Sequence, residues 1–393
     1  MKLFRALSTK RLVALTALFA ALVAGTAALA VAASGGGGPT PPAKSLANAI
    51  HDALAGAKPD GITADITFTN TLFPSGALTG AAGSALLSGA TGRLWATNDG
   101  RGRLELQSSA GDAQIVWNAD KVTAYDATSN TVYTFTLPKN ASSTNGTTDA
   151  GTPPALSEIT KLLADLSAQA TVSDAQPDNV GDQPAYTVTI SPKHDGGLLG
   201  SAQLAFDAAR GVPLKIAIYA QGSSSPALAL EATHVSYGAV AASAVDVSPP
   251  AGAKVVDLSS VGSAKDQGGT AGQTKQVTGV AAVQAAVGFP VAAPDTLVGL
   301  PRQSVRLAGK NAALVIYGEG LGAILVVEHK ADSTKAGGGM IAGLPSVSLN
   351  GVTAQELATQ LGTVIEWQQG GRSVVLAGSL PPAAAEAAAR ELK

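Results

Sequence analysis

The chain has 393 residues, of which 46% are hydrophobic, 4% aromatic and 14% charged, with 45 glycines and no cysteine. That length is too great for one ordinary domain and comfortable for two plus a targeting segment. A formal net charge of −2 with no concentrated basic patch argues against nucleic acid as a partner. The absence of cysteine excludes disulfides, a thiol nucleophile, a thiolate metal site and the acylated cysteine of a bacterial lipoprotein.

The N-terminus opens with Lys2, Arg5, Lys10 and Arg11, followed by an apolar run from Leu12 to Ala33. The small-residue pattern Ala28-Leu29-Ala30 near its end fits a secretory signal peptide over residues 1–33. The run is also close to the ~20 residues that span a bilayer, so an uncleaved membrane anchor is the rival reading. Either one places the rest of the chain in an extracytoplasmic compartment, secreted or tethered to the outer face of the cytoplasmic membrane. Residues 34–43 are a Gly- and Pro-rich linker.

From Lys44 to Ala57, the spacing of Leu46, Ile50 and Leu54 predicts an amphipathic helix, which Pro59-Asp60-Gly61 ends. The period then changes to two. Ile62, Ala64, Ile66 and Phe68 alternate with Thr63, Asp65, Thr67 and Thr69; similar runs recur to about Val247, separated by turn signals such as Asn98-Asp99-Gly100. The short spacings predict hairpins and hence an antiparallel sheet of about ten strands. Alternation predicts one apolar and one wet face. A helix from about Pro154 to Gln169 interrupts the strands, after a Ser-, Thr- and Asn-rich surface loop over 139–152. The expected domains are thus a β-domain over 44–258, a linker over 259–275 and a smaller α+β domain over 276–393. In the last, helices are predicted at 279–287 and 381–392, and strands at 304–308, 312–317, 323–330, 363–367 and 373–377.

Ten strands at ~4.8 Å make a sheet about 48 Å wide, and two helices of roughly 10–12 Å diameter cover only part of it. The predicted fold is therefore mainly β: a curved, unclosed antiparallel barrel with a helical lid and an apolar cavity. Its expected lining is Ile66, Phe68, Leu104, Leu106, Ile115, Trp117, Tyr133, Phe135, Val188, Ile190, Phe206 and Ile218. The uncharged segment Thr71 to Ala90 is either a plain loop or a lid at the cavity's rim.

The stretch Gly92 to Leu137 resembles the centre of LolA-like lipoprotein carriers and RseB-like sensors, through Gly92, Leu94, Arg103, Asp120, Tyr125 and Asp126. The resemblance extends over about 44–247. It implies an unclosed barrel around an acyl-binding cavity, with a lipid, acyl chain or lipoprotein as partner. The sensor branch implies instead a membrane-embedded regulatory protein such as an anti-sigma factor. Carriers of this family usually have an Arg-Pro pair at the turn where this chain has Asn98-Asp99-Gly100, with Arg101 and Arg103 displaced; a lid latch on that arginine is therefore not implied. The tail Val364–Leu392 resembles a domain of unknown function from Gram-positive envelope proteins, through Trp367, Gly370, Gly371, Leu376 and Gly378.

No catalytic constellation emerges. His51, His194, His234 and His329 are far apart and lack metal-ligand spacing. There is no Gly-x-Ser-x-Gly elbow, and Gly337-Gly338-Gly339 lacks the Lys-Ser/Thr of a phosphate loop. The expectation is a non-catalytic binder without cofactor or metal, although paired carboxylates of a glycan hydrolase are a spatial feature that sequence leaves open.

Overall fold

The computed structural model describes residues 38–72, 85–136, 154–168, 170–193, 197–257, 277–309, 311–331 and 344–392. The expected signal segment 1–33, most of the rim segment 71–90, the loop 139–152, the linker 259–275, the Gly337–Gly339 run and His194 lie outside the described residues.

The period-two pattern folds as β1 (Gly61–Asn70), β2 (Ala90–Thr97), β3 (Gly102–Ser108), β4 (Gly111–Trp117), β5 (Lys121–Asp126) and β6 (Thr131–Thr136). It continues as β7 (Ala170–Val172), β8 (Gln176–Val180), β9 (Gln183–Pro192), β10 (Leu199–Asp207), β11 (Pro213–Ala220), β12 (Pro226–Tyr237) and β13 (Lys254–Asp257). These thirteen strands form one sheet in the order β13-β6-β5-β4-β3-β2-β1-β12-β11-β10-β9-β7, with β8 also on β9. Their ladders are antiparallel except for the parallel edge pair β13–β6. The sheet curls as an unclosed half-barrel. The expected ten strands were too few, because β7, β8 and β13 are short and carry little apolar alternation.

Helices α1 (Leu46–Ala55) and α3 (Leu156–Ser167) pack on one face of β9 and β10. The Ser45 hydroxyl accepts the Asn48 amide at 3.4 Å and starts α1. Its far end approaches the β10–β11 turn so closely that a Cβ on Gly56 would lie 1.8 Å from the Ala209 carbonyl oxygen. Leu46, Ala49, Ile50 and Ala53 meet Ile159, Tyr186, Val188, Leu204 and Phe206 in one core cluster. Two short helices, α2 (Ala85–Ser88) and α4 (Ala242–Val245), were not expected.

The smaller α+β unit is an eight-stranded sheet. It contains β14 (Thr296–Leu297), β15 (Leu300–Ala308), β16 (Ala312–Tyr317), β17 (Ile324–Lys330), β18 (Ser346–Leu349), β19 (Val352–Thr359), β20 (Gly362–Gln369) and β21 (Arg372–Gly378). The order is β14-β15-β16-β17-β21-β20-β19-β18. Helix α5 (Val280–Val287) packs on β15 and β16, and α6 (Pro382–Glu391) on β20, β21 and β18. Their cluster includes Val283, Val315, Tyr317, Ile324, Ile365, Trp367, Leu376 and Ala388.

Within that core Glu328 is fully buried and pairs with Arg372 at 2.8 Å. The Ala292 amide donates to the same Oε2, while Oε1 has no partner among the described residues. Burial raises the Glu328 carboxyl above its ordinary 4.5, partly offset by the Ala292 amide and Arg372. The folded chain therefore keeps a proton at a pH where the unfolded chain has released it. Stability accordingly falls as pH rises from about 4.5 to the raised folded value and levels off beyond. Glu328→Gln should flatten that slope in chemical denaturation measured across pH. Arg372→Met, which strands the carboxylate, should cost about 3–5 kcal/mol at neutral pH, and adding Glu328→Leu should recover most of it.

Candidate functional site

Ladder partners share a face, and this settles which side chains the half-barrel turns inward. Tyr133 faces Ala124, Ala124 faces Ile115, and Ile115 faces Leu104. The row continues through Leu94 and Ala64 to Val235. A parallel row joins Phe135, Val122, Trp117 and Gly102. A register shift between β1 and β12 leaves both Ala232 and Val235 buried while Thr233 and His234 face water. On the other side of β1, Phe68 faces Leu230, Leu230 faces Ile216, Ile216 faces Leu204, and Leu204 faces Val188.

All twelve expected lining residues share this inner face, but they fall into three groups. Ile66, Leu104 and Leu106 are buried in one cluster, with Phe68, Ile115 and Trp117 packed against it and α2 contributing Ala85 and Leu86. Val188 and Phe206 are buried under α1 and α3, with Ile190 beside them. Tyr133, Phe135 and Ile218 belong to neither cluster; Tyr133 is 37% exposed, and the other two are half-buried.

Between the two clusters the cover that the described residues give stops. Leu204 is buried, yet its neighbour Ile216 on the same face is 46% exposed. Phe68, Ile218, Leu228 and Leu230 around it are half-buried. They make an apolar trough along β11, β12 and the end of β1, bounded on one side by α1 and α3. Ile216, Leu228 and Leu230 belong to the alternation but were missing from the expected lining, because sequence periodicity marks a face without showing where the helices end.

The opposite face is differently built. After β12 the chain crosses it, placing α4 against β2 and β3 before β13 joins β6. Beneath this crossing lies a cleft of about 260 Å³, lined by Gln114, Val116, Thr123 and Tyr125 from the sheet and Val245 to Pro249 from the crossing segment. Of the expected lining, only Trp117 borders it. Arg101 ties the crossing down, bonding Asp246 at 2.6 Å and Asp99 at 2.8 Å. The Arg101 guanidinium, with the Thr97 hydroxyl, holds the Asp99 carboxyl down at about 2. Arg103 pairs with Glu105, donates to the Ala244 carbonyl and lies 5.2 Å from the Trp95 ring centroid. These arginines therefore secure the crossing segment and face away from α1 and α3.

Of the histidines, His51 lies beside Asp52 and His234 beside Asp182, at 3.5 Å and 2.7 Å. Among the described residues no three His, Asp or Glu side chains converge on a metal-sized space. No helix among them is long and apolar enough to cross a membrane.

No protein-family model and no curated protein matches the sequence. Solved structures similar to the chain include the MucA/MucB complex of Pseudomonas aeruginosa, at 15% identity, covering 88% of this chain and 94% of that one, with a TM-score of 0.37. A putative outer-membrane lipoprotein-sorting protein domain from Vibrio parahaemolyticus is similar at 9% identity over 51% of this chain and 93% of that one, with a TM-score of 0.21. A LolA-superfamily protein of Nitrosomonas europaea follows at 8% identity over 85% and 91%, with a TM-score of 0.18. These neighbours are of the MucB/RseB and LolA kinds that the sequence resembles. At such identities and scores the likeness says nothing of what the chain binds.

The packing between β3 and β4 has a direct test at Gly102, over which the Trp117 ring lies. A Cβ there would sit 2.0 Å from the ring. Gly102→Val should expel the indole and destabilise the protein by about 1–3 kcal/mol. Tryptophan emission should shift to the red, and the shift should be absent when Trp117→Phe is already in place.

Proposed function

We propose that the chain is a non-catalytic extracytoplasmic protein that holds an acyl chain, free or on a lipoprotein, against the inner face of its half-barrel. The observation that carries the reading is the uncovered trough. Ile216 is 46% exposed at the centre of a row whose other members are apolar and at least half-buried. Each Å² of such surface left in water forgoes about 25 cal/mol, so a ligand that removes it from water gains that much. Among the described residues the trough presents Phe68, Ile216, Ile218, Leu228 and Leu230 and no charged side chain from this face. A hydrocarbon chain fits that chemistry; a sugar or a nucleotide would leave its polar groups unpaired. The six half-exposed residues Ile115, Trp117, Val122, Ala124, Tyr133 and Phe135 extend the apolar face toward the β6 edge.

The second reading is a sensor that engages an anti-sigma factor or another membrane-embedded protein. The separate α+β unit, which a simple acyl carrier does not need, supports it. A pull-down that recovers a membrane protein and no lipid would favour this reading over carriage.

Native mass spectrometry after gentle purification should show co-purifying lipid. Ile216→Glu places a carboxylate in the trough with little effect on folding, since the side chain is already half in water. It should lower affinity for a fluorescent fatty acid at least about tenfold. Wild-type protein that carries no lipid and binds no fatty acid would sink the acyl-binding reading.

A further inference from the structure

The inner face of β11 closes down toward the end of the strand. Ile216 is 46% exposed, Ile218 is half-buried, and Ala220, the last residue of β11, is only 9% exposed. The strands β1, β12, β11 and β10 are antiparallel neighbours in that order, so the end of β11 lies beside the end of β1 and the starts of β12 and β10. The smaller unit meets the larger one at this place. The Gln360 side-chain amide donates to the Thr71 carbonyl at 2.9 Å, and the Leu198 amide donates to the Ser379 hydroxyl at 2.8 Å. Thr71 directly follows β1, and Leu198 directly precedes β10. The Ser379 hydroxyl in turn donates to the carbonyl of Leu361, the residue after Gln360, at 2.8 Å. Thr71, Gln360, Leu361, Ser379 and Leu198 thus form one continuous bridge from β1 to β10. It crosses three strand spacings, about 14 Å, and the ends of β12 and β11 lie between its two feet. Those two strands are the floor of the trough.

We propose that the tip of the β19–β20 hairpin is the end stop of the trough, and that it limits the length of acyl chain the half-barrel takes, with Leu361 as the side chain that bounds it. The inference rests on the acyl-binding reading. The tip is built to hold its shape: the Thr359 hydroxyl accepts the amides of Leu361 and Gly362 at 3.2 Å and 3.1 Å. Leu361 is half-buried, yet it lies outside the smaller unit's core cluster. The opposite end of the trough is shut by the larger unit itself, since the next inner residues Ile66, Ala232 and Leu214 are all buried. The stretch of β11 from Ile216 to Ala220 covers only about 13 Å. An acyl chain lying along it is therefore bounded at both ends, and carbons beyond that length stay in water. The Gln360, Ser379 and Thr71 groups at the stop already bond one another or Leu198, which leaves the apolar Leu361 side chain to meet the hydrocarbon.

Titration of the full chain with saturated fatty acids from octanoate to stearate, read by displacement of a fluorescent fatty acid, tests the stop. Wild type should gain about fourfold in affinity for each added CH₂ up to the length that reaches the tip, and nothing beyond it. Leu361→Ala should move this break to longer chains by about two carbons, the room that its missing atoms leave. Leu361→Trp should move it to shorter ones. Gln360→Ala combined with Ser379→Ala cuts both feet of the bridge and should abolish the break. Far-UV circular dichroism checks that each variant is folded, and Gln360→Ala alone, at a fully exposed position, replaces the double variant should that one unfold. A break that stays at one length in every variant would overturn the stop and leave the acyl-binding reading standing. So would a wild-type affinity that climbs without a break through to stearate. Wild type that binds no member of the series would overturn the acyl-binding reading, and the stop with it.

Discussion

The width of the inner apolar face relative to the helices available to cover it governs the larger half of this molecule. With β7 and β8 sharing one edge of β9, the sheet is twelve strands across and at ~4.8 Å would extend about 58 Å if flat. Among the described residues only α1 and α3 have a hydrophobic face long enough to bury a substantial part of it. The sheet responds by curling, and several local features follow. The β8–β9 turn uses positive φ at both Gly181 and Asp182, the twist that suits a tight hairpin. That hairpin reaches β12, where the Val235 amide donates to the Gly181 carbonyl and Gln183 donates to the Val235 carbonyl. Near the same place Tyr237 donates to the buried Asp207 at 2.6 Å under the Arg210 guanidinium. Burial, with Asp207 beside it, pushes the Tyr237 hydroxyl up, so that hydroxyl stays a donor throughout the physiological range. These contacts close one end of the curl; the trough is what the helices fail to reach on the rest.

The convex side solves a different problem. A strand face of mixed polarity needs no helix, and the crossing segment with its small α4 suffices. Its attachment is electrostatic: Arg101 bonds both Asp246 and Asp99, at exposed positions where such pairs are individually weak. The attachment gains from being a three-member cluster, and from the apolar anchor of Val245, which is almost fully buried. The cleft beneath this segment is half polar and lies on the other side of the sheet from the trough, so the two spaces call for different ligands.

Much of this was legible in the sequence. The period of two located β1, β3, β4, β6 and β9 through β12, and ladder register placed all twelve expected residues on one face. Three things were not legible. β8 reads Gln-Pro-Asp-Asn-Val, which no strand pattern recommends, and it exists because the β9 edge offers unpaired amides and carbonyls. The distinction between Leu204, buried, and Ile216, half open, depends on where α1 and α3 end in space, although the two residues are cross-strand neighbours. The outward face of the smaller sheet was written in the unbroken apolar runs of β16 and β17, which signal burial on both faces; reading strands only for their inward positions passes over it.

The two uncovered faces share one origin and differ in shape, and shape decides what each can take. With only 14% charged residues, the chain has few polar side chains to spend on strand positions. In the thirteen-stranded sheet the surplus apolar surface lies on the concave side, beside helices, as a narrow trough. In the eight-stranded sheet α5 and α6 fill one side, and the surplus is a broad face six strands wide. The same composition thus leaves a strip of apolar side chains open on one unit and a broad apolar face on the other.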